Sequence, residues 1–214
     1  MSGILDLLNS DTGKGLINGM EQQLGINKAS IVKALGAALP MILGGMRNNT
    51  SSSTGSSGLL DALLGGNHNG SILDSIGDIF GGGSADGVDH NVMTDGGNIL
   101  GHVFGGQEQN AAHVVSKSSG IDMSQAMNIM KAAAPFIMGY IGKKMHSNNV
   151  SDQSGLKGLL GGLLGDDINA SRDVASRVQG FDTNDDTIDD IAGMVSKYGK
   201  EAGGIANLLS GLFS

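Results

Sequence analysis

Three oxygen-bearing side chains toward the C-terminal end have the spacing of a hard-cation loop. Asp182, Asn184 and Asp186 stand at positions 1, 3 and 5 of a calcium-type loop, where alternate oxygens can converge on one ion. The rest of that loop departs from the pattern. Thr187 occupies position 6, where the sharp turn needs glycine, and Gly193 occupies position 12, where a bidentate glutamate belongs. The competing reading is an acidic start to a helix from Ile188, which the helix dipole favours. Histidine supplies the other candidates. His102, in GGNILGHVFGG, reads as a packed or hydrogen-bonded core residue in preference to a ligand. His113 follows 11 positions later, but Gly105-Gly106 should break any helix the two could share. His68, His90 and His146 fall in polar connectors. HExxH, GxSxG and Walker patterns are absent, and GGNILGHVFGG follows no strand signal and carries no lysine to cradle phosphate. No nucleophile, base and metal form a coherent set. The chain therefore reads as non-enzymatic, with no cofactor, no catalytic residue and only that weak calcium candidate.

The elements that would position these residues come from a repeat. AALPMILGG, from Ala37 to Gly45, returns as AAAPFIMGY, from Ala132 to Tyr140, 95 positions later. Pro40 and Pro135 are the only two prolines, and they hold the same place in both copies. Outward from them, Gly25-Ile26-Asn27 aligns with Gly120-Ile121-Asp122, and Ile4-Leu5 with Ile99-Leu100. Each copy centres on a long helix. Asn27 and Asp122 are N-caps, and Gln125 completes a variant capping box with Asp122. Ile31, Leu35, Ala38, Ile42 and Met46 keep the 3.6-residue period, as do Ala126, Ile129, Met130, Ala133, Ile137 and Ile141. A proline inside each helix should kink it.

The expected architecture is all-α: two divergent helical repeats packed pseudo-symmetrically, with Gly/Ser-rich linkers. Residues 1–83 form the first repeat, 84–95 a polar connector, 96–200 the second repeat and 201–214 a C-terminal apolar helix. Asp11 should cap a helix through Leu16, Ile17, Met20 and Leu24. NNTSSSTGSSG, 48–58, reads as a flexible linker by composition, before a short helix from Leu59 to Leu64. GLLGGLLG, 158–165, reads as a short soluble helix packed on the core; in a membrane its glycines could instead let helices approach closely.

Composition sets the outer bounds. Aromatics make up 3% of the chain and tryptophan is absent, so the core must be aliphatic, with 11 methionines as filler. The 37 glycines are more than twice the usual share. A net charge of −8 is unsuited to nucleic acid. Without cysteine there is no disulfide, no thiolate chemistry and no Cys-based zinc site. MSGILDLLNSD lacks a basic start and a long apolar run, so a cytoplasmic location is expected. The leading expectation is a non-catalytic protein that binds a protein partner or itself. The alternative is a membrane-active or exported helical protein.

Residues 96–142 bring a resemblance. GGNILGHVFGG, a polar helix, then SGIDMSQAMNIMKAAAPFIMGYIGKK is similar to the bacterial domain-of-unknown-function family 937. ILDLL, LGINKASIVKALGAALPMILGGM and NHNGSILD resemble the family's first half, so the likeness extends over nearly the whole chain. It implies a mostly helical bacterial protein and brings no activity, cofactor or catalytic residue. Related sequences often carry a richer Asp-Gly run before the last helix; this chain has DTNDD without glycine.

The incomplete acidic loop gives a first prediction. Added calcium should leave the melting temperature unchanged, because the position-12 ligand is missing. A calcium-dependent rise in the wild type that is lost when Asp182→Ala and Asp186→Ala are combined would reverse this.

Overall fold

The computed structural model describes residue 8, residues 10–64, residue 73 and residues 90–164. Among the described residues it is all-helical, with seven helices and no strand. In chain order they are α1 (Asp11–Leu24), α2 (Lys28–Asn49), α3 (Ser53–Leu64), α4 (His90–Phe104), α5 (Glu108–Ser119), α6 (Met123–Ser147) and α7 (Gln153–Leu164).

The two long helices, α2 and α6, form the centre and pack on each other. Ile31, Leu35, Ala38, Ile42 and Met46 are buried, as their spacing predicts. So are Val32, Met41 and Leu43 on other faces of α2. A helix apolar nearly all round must be wrapped by others. α5 packs on both long helices. α4 runs along α6 and also meets α2. α1 lies chiefly on α2. α3, which follows α2, touches α6, while α7, which follows α6, touches α2.

Matched joints lead into the two long helices. Gly25 closes α1 at φ 63°, and its N–H donates to the Glu21 carbonyl. Gly120 closes α5 at φ 74°, and its N–H donates to the Ser116 carbonyl. Left-handed backbone of this kind suits glycine, which has no Cβ to clash. The Asn27 side chain then accepts from the Ser30 N–H at 2.9 Å, and Asp122 accepts from the Gln125 N–H at 2.8 Å. The Gln125 side chain in turn accepts from the Asp122 N–H, completing the capping box. Each such cap contributes about 1 kcal/mol. Pro40 and Pro135 both lie inside their helices. Neither has an N–H, so the carbonyls of Gly36 and Lys131 lose their helical donors.

Glycine sets the closest approach of α4 to this centre. The Gly96 backbone lies directly against the Lys131 carbonyl oxygen, and a Cβ added there would overlap it. A Cβ at Gly45 would come within 2.6 Å of Val103 Cγ1 and 3.1 Å of the Val103 carbonyl oxygen.

Several expectations need correction. The linker over 48–58 shrinks to Thr50, Ser51 and Ser52, because α2 runs to Asn49 and α3 begins at Ser53. The serines stop one helix and start the next. The Ser52 hydroxyl donates to the Asn49 carbonyl and accepts from the Gly55 N–H at 3.1 Å, which caps α3. Thr50 is buried, and its hydroxyl donates to the Arg47 carbonyl. α4 starts at His90, inside the stretch read as a polar connector. Ser10, not Asp11, caps α1: its hydroxyl accepts from the Gly13 N–H at 3.1 Å, and Asp11 sits in the first turn. In α7 the leucines do the packing, with Leu156, Leu160, Leu163 and Leu164 buried. Nothing lies within 4 Å of a Cβ at Gly158 or Gly162, so these glycines mark no close helix approach. Leu73 is described and buried, whereas the helix start at Ile188 and the C-terminal apolar helix over 201–214 fall outside the described residues.

The glycines of α4 give a paired prediction. Gly96→Ala sets a new methyl against rigid backbone and should cost about 3 kcal/mol or more. Gly101→Ala meets nothing within 4 Å and should gain up to about 1 kcal/mol of helix propensity. Urea denaturation of both variants checks this; equal effects would show that α4 does not dock through Gly96.

Candidate functional site

A cleft of about 600 Å³ opens where α3 and α4 face each other over the centre. α4 contributes Asp95, Asn98, Ile99 and His102, which share one face at positions i, i+3, i+4 and i+7. α3 contributes Thr54, Gly58 and Ala62, spaced four apart, with Leu59 beside them. Met46 of α2, Val103 of α4 and Met138 of α6 lie buried within the lining. The floor is therefore aliphatic and methionine-rich, which lets it adapt to the shape of an occupant. The rim is polar, with Thr54, Asn98 and His102 exposed and Asp95 half-buried.

Asn49 ties the walls together. Its amide N–H₂ donates to the His102 carbonyl at 2.9 Å and to the Val103 carbonyl at 3.4 Å. Gly105, at φ 62°, turns the chain out of α4, and the Gly106 N–H returns to the Gly101 carbonyl at 3.1 Å. The Gln107 N–H donates to the Phe104 carbonyl at 3.1 Å. All four final carbonyls of α4 are thus satisfied, two of them by a side chain from α2. The FGG of the sequence is this helix stop, as its glycines predict.

His102 is exposed on the rim, not packed in the core as expected. Its neighbours Ile99 and Val103 are buried, while His102, on the same face as Ile99 and one turn further along, is exposed at the opening. His113 is half-buried on α5, across the FGG break, and His146 is exposed at the end of α6. His68 lies outside the described residues, as do Asp182, Asn184 and Asp186. Among the described residues no group of three or more histidines or carboxylates could hold a metal ion.

Asn49 and Thr54 escaped the sequence reading because they fell in or beside the supposed linker. Asp95, Asn98 and His102 were legible in principle, since their spacing is that of a single helix face. What the cleft offers is an apolar floor and hydrogen-bonding rim groups, an arrangement suited to holding a ligand.

Residues 6–144 match a family described as bacterial protein of unknown function (DUF937). The chain belongs to this family. The DUF937 region covers roughly two thirds of the chain, less than the near-complete likeness read from the sequence. It ends within the last turn of α6, so every residue lining the cleft lies inside the DUF937 region, whereas α7 lies beyond it. No curated protein and no solved structure matches the chain.

Proposed function

We propose that this chain is a non-catalytic binding protein, built from two diverged helical copies, that receives an apolar group in the cleft between α3 and α4. The observation that carries the binding reading is the make-up of that cleft: buried methionine and aliphatic side chains below, polar side chains at the mouth. Its volume lies within the usual range for ligand pockets, roughly 300–1,000 Å³. The duplication draws support from the two matched joints, whose glycines, caps and bonded partners are each offset by the spacing of the prolines. The crossed contacts of α3 with α6 and α7 with α2 are what a pseudo-two-fold pair of copies would make.

A second reading, self-association, rests on Leu64. It is 53% exposed at the end of α3, the helix that forms one cleft wall. An exposed leucine beside an apolar cleft is a contact site of the kind that symmetric dimers use. The membrane-active alternative has α2 in its favour, 22 residues long with a mean hydropathy of 1.6 over its best window. Yet 78% of that window is buried within the chain, which is how a core helix uses such a sequence.

Gly58 provides the test of binding. Nothing lies within 4 Å of a Cβ at this position, so Gly58→Phe should fill the cleft without moving the backbone. Nile red, a neutral apolar dye, should bind the wild type and bind Gly58→Phe at least about tenfold more weakly, at equal melting temperature. Dye binding unchanged by the substitution would reject the cleft.

Sedimentation tests the second reading. Wild type should form a dimer or larger species at micromolar concentration, and Leu64→Glu should shift it toward monomer. A wild type that stays monomeric throughout that range would remove self-association.

A further inference from the structure

The cleft has the dimensions of a seat for a short helix. Thr54, Gly58 and Ala62 stand one turn apart on α3, so this wall carries no bulky side chain over about 12 Å at 1.5 Å per residue. On α4 the lining from 95 to 102 runs for about 10 Å. Met46 and Met138 in the floor suit the irregular face of a helix, since methionine adapts to the side chains laid on it. An apolar groove with a polar rim is the surface that receives one face of an amphipathic helix. Outside the described residues, the sequence holds such a face. Ile205, Leu208, Leu209, Leu212 and Phe213 follow the i, i+3, i+4, i+7, i+8 spacing, while Asn207 and Ser210 fall on the opposite side. Residues 202–214 carry no charge, so laying them on an apolar floor buries no ion. So short a helix does not hold itself together alone in water and needs a surface.

We propose that the chain's own apolar segment 205–213 seats in the cleft between α3 and α4, as an intramolecular occupant that any outside apolar ligand must displace. The inference rests on the binding reading above. Reach is no obstacle: residues 165–204 would span about 60 Å even if helical throughout, twice the roughly 30 Å across a small domain. Tethering holds the segment at a local concentration on the order of millimolar, so a modest aliphatic contact is enough to fill the cleft. Leu208, Leu209 and Leu212 lie over Met46, Ile99 and Met138, and removal of these side chains from water supplies the affinity. Asn207 and Ser210 stay toward the mouth.

Nile red reports competition for the cleft in the intact chain. Leu209→Asp with Leu212→Asp puts charge on the apolar face and should free the cleft. The dye should then bind about tenfold tighter than to wild type, the factor for a segment seated in about nine molecules of ten. Asn207→Asp with Ser210→Asp adds the same charge on the opposite face and should leave dye affinity at the wild-type value. The chain has no cysteine, so introduced pairs report position directly. Gly58→Cys with Leu209→Cys should form an intramolecular disulfide under mild oxidation, and Gly58→Cys with Asn207→Cys should form one far more slowly. If Leu209→Asp with Leu212→Asp leaves dye affinity unchanged, or if the Gly58→Cys, Leu209→Cys disulfide joins only separate chains, segment 205–213 is not the intramolecular occupant while the cleft stands as a binding site. If Gly58→Phe does not weaken the dye in the chain carrying Leu209→Asp and Leu212→Asp, the cleft itself is not the site and both readings fall.

Discussion

The fold turns on how two long apolar helices are approached by their neighbours. Pro135 leaves the Lys131 carbonyl without its helical donor, and the Gly96 backbone is set against that same oxygen. A proline on one helix and a glycine on the other thus define a single contact. Because Gly96 brings α4 down onto α6, the next turns of α4 present Asn98, Ile99 and His102 to the cleft at a fixed height. Gly45 on α2 makes a second close approach to α4, where Val103 leaves no space for a side chain. One wall of the cleft is therefore held by backbone contact, which tolerates less displacement than contact between flexible side chains.

The opposite wall depends on a turn of three residues. Thr50, Ser51 and Ser52 turn the chain between α2 and α3, with side-chain hydroxyls bonded to both helices. Gly55 lies so close to the Asn49 carbonyl that a Cβ could not be accommodated. Asn49 itself points the other way and caps α4. The end of α2 is thus a common anchor for both walls, which explains how an aliphatic protein with few aromatics holds an open cleft in a defined shape.

Some of this was legible in the sequence. The periodicity around Pro40 and Pro135 located both long helices to within a few residues, because a helix buried on nearly every side has apolar residues wherever one looks. Asn27, Asp122 and Gln125 announced their caps, since capping is local chemistry. The serines at 50–52 did not announce their turn. A disordered linker and a hydroxyl-bonded turn have the same composition, and what separates them is the geometry around Asn49 and Gly55. His102 misled for a related reason. Its apolar neighbours suggested the core, but one residue along a helix is a rotation of about 100°, enough to carry a side chain from floor to rim. The acidic residues Asp182, Asn184 and Asp186 lie outside the described residues, so they inform neither the cleft nor the core.

The crossed docking of α3 on α6 and of α7 on α2 bears on how the chain comes into being. α2 is made early, yet the helices that cover it, α5, α6 and α7, follow much later in the chain. Among the described helices, α1, α3 and α4 are made before α5 and touch α2, and contacts that close large loops must form before the core is complete. Folding is therefore a late, collective event in which neither half completes its interior without the other. A nascent chain halted before α6 would carry an incompletely covered apolar helix, the kind of surface that chaperones hold and that aggregates when they do not.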